Sequence, residues 1–230
     1  MMQNPNSSLY ALRKSIISNL IDTSTMTNSG KITKLKKGDL VFKECDEFHY
    51  IYILLSGSIK TFTTINSGTE KITCFYYQDD IVGFSGIDTG RYPVSAKALE
   101  ASSVFRIRFN DIEKLTDKHP NLQNNMLRLM SRQIHENQNL LSLLGKTQSE
   151  KKVASFLFNI YIQSCHSSTF TTLKLPMSRR DIGNYLGITE ETVSRSITKL
   201  SQNNLIAISG KKFNIVDKMK LVELIDGHPV

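Results

Sequence analysis

Apolar positions along the chain change period more than once. Leu9, Leu12, Ile16, Ile17 and Leu20 fit one short helix, and the polar run DTSTMTNSG after it reads as a linker. From Lys31 to Arg108 the pattern becomes short β-branched and aromatic segments: LVF, YIYILL, SIKTFTTI, EKITCFYY, PVSAKAL and SVFRIRF. These predict strands, about six to eight of them, which make a roll or sandwich. Ser56-Gly57-Ser58 and Asn66-Ser67-Gly68 supply the turn chemistry between them. Phe109 to His119 predicts a short helix with Asn110 as candidate N-cap, and at Pro120 a period of 3.6 sets in for several turns.

In PNLQNNMLRLMSRQIHENQNLLSLLGK, positions Met126, Met130 or Leu129, Gln133, Asn137, Leu140 or Leu141, and Leu144 recur every three or four residues. A helix this long, with a lone Asn in its apolar stripe, suits a parallel pair in which the amide fixes register. The same stripe also suits packing on the chain's own strands. SEKKVASFLFNIYIQS is again helical, with Val153, Phe156, Leu157, Ile160 and Tyr161 inward, and the polar stretch SCHSSTFTT follows it.

The segment LPMSRRDIGNYLGITEETVSRSITKLSQNNLIAISGKKFNIVD reads as helix, turn, helix and hairpin wing. Ser178 caps the first helix with Asp181 at its third position, Gly187 ends it in the left-handed conformation, Ile188 plugs the corner and Thr189 caps the second helix. Val193, Ile197 and Leu200 form that helix's buried stripe, which leaves Glu191, Thr192, Ser194, Arg195 and Lys199 on other faces. Arg bonds guanine O6 and N7, a carboxylate accepts from cytosine N4 and Ser is adaptable, so this set suits base edges in the major groove. Lys199, Lys211 and Lys212 suit phosphates, and Ser178, Arg179 and Thr189 complete the expected DNA-facing group.

Charge strengthens this picture. The chain of 230 residues carries a net charge of +8, and residues 151–230 hold 11 Lys and Arg against 6 Asp and Glu. A basic C-terminal third favours a polyanionic partner. With 40% hydrophobic and 22% charged residues, the composition is that of a soluble folded protein. No run approaches a membrane span and the N-terminus lacks a leader pattern, so the expectation is a cytoplasmic protein with no membrane partner. Cys45, Cys74 and Cys165 are odd in number and far apart, which provides neither a disulfide framework nor a metal-ligand pair. Paired carboxylates, GxSxG, a Walker loop and a Cys-His constellation are all missing, which argues against an enzyme.

The stretch DIGNYLGITEETVSR, preceded by LLSGSIKTFTT, EKITCFYYQDDIVGF and NLQNNMLRLMSRQI in that order, resembles the CRP/FNR family of bacterial transcription regulators over nearly the whole chain. The resemblance implies an α+β fold: an N-terminal cyclic-nucleotide-binding-type β-roll over 31–119 after a segment 1–30, a long dimerisation helix over 120–146, and a C-terminal winged helix-turn-helix over 147–230. It implies a homodimer acting on double-stranded DNA and, by match to the pattern E-x-x-S-R, Glu191, Ser194 and Arg195 as readers of a TTGA half-site. Glu190 departs from the pattern and leaves the outermost bases open. The loop Gln78, Asp79 and Asp80 resembles the surface with which such regulators touch RNA polymerase, although an ordinary acidic hairpin loop reads the same way.

Where the resemblance implies a sensor, this sequence departs from it. Oxygen-sensing relatives hold an iron–sulfur cluster on four cysteines, most of them N-terminal; here none precedes Cys45, and Phe105 stands near the internal ligand's place. Relatives that bind cyclic AMP use a Glu and an Arg-Ser pair; here Phe84 and Tyr92-Pro93-Val94 stand there, with Arg91 as a candidate anion holder. His49 has no second ligand to make a haem site. Asn137 stands where those oxygen sensors carry an acidic residue, so the dimer is expected to form without a cofactor. The alternative is a sensor whose roll binds an unidentified small molecule, or whose Cys45 or Cys74 responds to redox state, and so gates DNA binding.

Overall fold

The computed structural model describes Lys14, Ile17, Ser18 and residues 30–65, 68–118, 120–145, 148–164 and 172–226. Apart from Lys14, Ile17 and Ser18, and from Gly30, which is a strand residue and not part of a linker, the expected N-terminal helix and linker lie outside these residues, as do Asn66, Ser67, His119, Cys165 and almost all of the polar stretch after Ser164. The chain divides into two compact units, one ending at Ile134 and the other beginning at His135.

The first unit is a roll of two four-stranded antiparallel sheets. One has the order β1 (Gly30–Leu35), β8 (Ser102–Arg108), β3 (Tyr50–Ser56), β6 (Ile81–Val82); the other has β2 (Leu40–Phe42), β7 (Ser95–Ala98), β4 (Ile59–Thr64), β5 (Glu70–Tyr76). Strand β3 is apolar on both faces because both are covered. Tyr52 and Leu54 join Leu35, Phe42, Ile59, Val82, Tyr92 and Val104 in the interior, while Ile51 and Ile53 are fully buried on the opposite face. Phe42 and Tyr92 stack with ring centroids 3.9 Å apart, and Tyr92 Oη donates to the Tyr50 carbonyl at 2.6 Å.

Helix α1 (Phe109–Lys118) follows β8 and packs on it. It begins at Phe109, so Asn110 sits inside the helix and not at its cap. Helix α2 (Pro120–Gly145) runs for 26 residues.

In the second unit, α3 (Ser149–Ser164) packs against α5 (Glu190–Gln202) and α6 (Lys218–Asp226), and α4 (Arg179–Leu186) packs against α5. A three-stranded antiparallel sheet of order β10 (Ile206–Ser209), β11 (Lys212–Ile215), β9 (Leu173–Lys174) completes it. Val153, Leu157, Leu175, Ile182, Leu186, Val193, Leu200, Phe213 and Leu221 fill the core. As expected, Phe156 and Ile160 are buried on α3, whereas Tyr161 is half-buried.

Candidate nucleic-acid interface

Local chemistry builds the helix-turn-helix. Ser178 accepts from the Asp181 backbone N–H at 3.0 Å while the Asp181 carboxylate accepts from the Ser178 N–H at 3.0 Å, a complete capping box. Gly187 takes φ 66° and ends α4, and Ile188 N–H then donates to the Gly183 carbonyl at 2.9 Å. Gly183 is where the turn passes closest to α4: a Cβ there would lie 2.6 Å from the Ile188 carbonyl oxygen. Thr189 Oγ1 then accepts from the Thr192 N–H at 3.2 Å and caps α5.

On α5, Val193, Ser196, Ile197 and Leu200 are buried, and Glu191, Ser194, Arg195 and Lys199 are exposed. Arg195 Nη1 lies 3.7 Å from Glu191 Oε1, one helical turn away, with both side chains mostly in water. Such a pair contributes only about 0.3–0.5 kcal/mol. Thr192 is half-buried, its hydroxyl 2.8 Å from that of Thr189, which gives it a capping role beside any role towards DNA.

Three features refine the sequence reading. Arg179 is half-buried, and desolvation pulls its guanidinium below its ordinary pKa, whereas the neighbouring Arg180 is exposed. The Ser178 hydroxyl is committed to Asp181. The wing carries a lysine that local patterning missed: Lys174 on β9 stands opposite Lys212 in the sheet, and with Lys211 at the hairpin turn three lysines gather there. Only strand pairing brings Lys174 to this place.

Helix α2 presents its apolar residues in two stripes, where the sequence reading saw one. Met126 is buried within the chain, and Gln133 Nε2 donates to Tyr76 Oη at 3.2 Å, so Gln133 faces the chain's own roll. The exposed large apolar residues are Leu127 (58%), Ile134 (59%) and Leu141 (69%), spaced by seven. Met130, Leu140 and Leu144 are half-buried and Asn137 is exposed. Leu127 and Ile134 were missed, although the seven-residue spacing to Leu141 was a usable signal.

In the loop after β5, Asp80 accepts from Tyr77 N–H at 2.8 Å and closes the turn, Asp79 takes φ 69°, and Gln78 is exposed. Phe84 and Tyr92 are buried, and Arg91 Nη1 donates to the Cys45 carbonyl at 2.8 Å. His49 Nε2 lies 3.1 Å from Glu47 Oε2. Cys45 is exposed in the loop between β2 and β3, and Cys74 is half-buried on β5. Among the described residues no group of three His, Cys, Asp or Glu is placed to hold a metal, and no helix is long and apolar enough to cross a membrane.

The model of the cyclic nucleotide-binding domain matches residues 32–119, and that of the Crp-like helix-turn-helix domain matches residues 151–224. Together they define a regulator built from a nucleotide-binding-type roll and a DNA-binding helix-turn-helix. Over 195 residues the chain is 41% identical to the transcriptional activator protein Anr of Pseudomonas aeruginosa, covering 84% of this chain and 80% of that one. It is 39% identical over 197 residues to the fumarate and nitrate reduction regulatory protein of Escherichia coli, with coverage of 84% and 78%. FixK2 from Bradyrhizobium japonicum shares the fold, with a TM-score of 0.76 at 24% identity over 85% of this chain and 96% of that one. The chain belongs to the CRP/FNR family of transcription regulators, which are DNA-binding proteins and not enzymes.

Proposed function

We propose that the chain is a homodimeric transcription activator of the cytoplasm in which α5 of each protomer reads one half of a TTGA/TCAA palindrome. The observation that carries this reading is the α5 surface: Glu191, Ser194 and Arg195 are exposed together while the stripe beneath them is buried. Arg195 bonds guanine, Glu191 accepts from cytosine N4, and Lys199, Lys211, Lys212 and Lys174 meet phosphates. Leu127, Ile134 and Leu141, with Met130, Asn137 and Leu144 three residues after each, alternate as the two seam positions of a parallel helix pair. Asn137 pairs with its symmetry mate without setting two like charges in a dry interface, so the dimer forms without a cofactor. Exposed Gln78 and the half-exposed Asp79 form the polymerase-facing surface.

The residues do not fit an iron–sulfur cluster or cyclic AMP. A cluster takes four thiolates; the chain has three cysteines, of which Cys45 lies in the loop between β2 and β3 and Cys74 on β5. By the family resemblance, Phe84 and Tyr92 stand where relatives that bind cyclic AMP carry a Glu and an Arg-Ser pair; here both are buried aromatic residues, and Arg91 is engaged with a backbone carbonyl.

Fluorescence anisotropy of the ligand-free protein on the palindromic duplex, against a scrambled duplex and across a salt series, tests the reading. The expected result is tight, sequence-specific binding that weakens steeply with salt. Weak binding, or equal binding to both duplexes, overturns it and turns the search to an effector in the roll.

A further inference from the structure

Within the roll unit, the inward stripe of α2 ends in a different chemistry from the one with which it begins. Leu122, Met126 and Leu129 are buried apolar anchors spaced by four and three, and the next position on that face is Gln133. Its amide meets Tyr76, the last residue of β5, at 3.2 Å. Burial pushes the Tyr76 phenol well above its usual pKa, with Cys74, Asp80 and Thr61 around it, so the hydroxyl stays neutral and available to Gln133 throughout the working pH range. One residue further on is Ile134, 59% exposed, and beyond it the second compact unit begins. Gln133 is therefore the last attachment of this stripe within the roll unit among the described residues.

Neighbouring residues on an α-helix point about 100° apart, so holding Gln133 towards β5 fixes the direction of Ile134. We propose that Tyr76 is a positioning residue for dimerisation: through Gln133 it sets the rotation of this end of the roll unit's helix about its own axis and aims Ile134 at the partner helix. This rests on the dimer reading above. It joins a partly buried side chain packed on the core of the roll to the association of two copies of the chain through one hydrogen bond.

The test is sedimentation equilibrium of the full chain without DNA, well below its melting temperature. The variants are Tyr76→Phe, Gln133→Met, the two combined, and Ile134→Glu. Loss of one hydrogen bond is expected to weaken dimerisation about five-fold in each single variant. The double variant is expected to be no weaker than the singles, because both remove the same bond. A merely structural role would lower the melting temperature without that shared, non-additive change in the dimer constant. Single variants that dimerise within about two-fold of the parent, while Ile134→Glu is monomeric, overturn the positioning role and leave the dimer reading standing. An Ile134→Glu variant that dimerises like the parent overturns both. If Tyr76→Phe fails to fold, Gln133→Met, changed at a half-exposed helix position, decides alone.

Discussion

Gly183→Ala asks whether the angle between α4 and α5 depends on one missing methyl group. The added Cβ would sit 2.6 Å from the Ile188 carbonyl oxygen and 3.3 Å from both Thr189 C and Glu190 N, all backbone atoms that cannot rotate away. Reaching an ordinary contact of about 3.4 Å means moving the turn by about 0.8 Å. Overpacking of this kind costs about 1–3 kcal/mol. Weakening the 2.9 Å bond from Ile188 N–H to the Gly183 carbonyl adds about 1 kcal/mol, and the better helix propensity of Ala returns about 1 kcal/mol. The net loss is about 2 kcal/mol, or roughly 10 °C for a unit of this size. Because the turn carries the N-terminus of α5, one base contact is lost with it and DNA affinity falls about ten-fold. Urea unfolding followed by circular dichroism, together with anisotropy on the palindrome, measures both. Gly145→Ala is the control, since a Cβ there meets nothing within 4 Å. If Gly183→Ala is as neutral as Gly145→Ala in both assays, the close-approach argument is refuted.

Arg195→Ala should cost about 1–3 kcal/mol on the palindrome and relax discrimination at one base position, whereas Lys212→Ala should weaken all sequences alike and lower the salt slope by about one; competition anisotropy separates the two. Thr189→Ala should destabilise the C-terminal unit by about 1 kcal/mol in urea through loss of the α5 cap. Glu70 offers a pH test. Burial raises its carboxyl pKa, but hydrogen bonds from Lys60 at 2.8 Å and from Lys97 outweigh burial and hold it below 4.5. A lowered pKa means its contribution is complete above the unfolded value and is lost as pH falls through the folded one. Acid unfolding of Glu70→Gln should therefore be flatter below pH 4.5 than that of the parent, by an amount reduced by the partial exposure of the cluster.

The parts legible in the sequence are those written by local chemistry. Ser178, Gly187 and Thr189 take the cap positions their side chains demand, and Val193, Ile197 and Leu200 are buried because a 3.6 period leaves them on one face. What escaped depends on partners distant along the chain. Ile81–Val82 and Leu173–Lys174 are strands of two residues, defined only by the strands beside them. Helix α6, Lys218–Asp226, buries a single residue, Leu221, and leaves little periodicity to read. Leu127 and Met126 are equally apolar neighbours, and their sequence does not say which one the roll will claim. Arg179 and Arg180 are likewise the same residue twice, and only their burial separates them.

The two-sided helix α2 also bears on how this chain can change its length. A substitution at one position disturbs one stripe, but a single inserted residue between Leu129 and Ile134 would turn everything after it by about 100°. The inward stripe, which holds the roll, and the outward stripe, with its seven-residue spacing, would then fall out of step. Insertion or removal of a whole heptad turns them by only about 20°, which keeps both nearly in phase, and shifts the following residues by about 10 Å along the axis. Length variants of this segment should therefore survive in steps of seven, with shorter steps lost even where every substituted side chain is apolar.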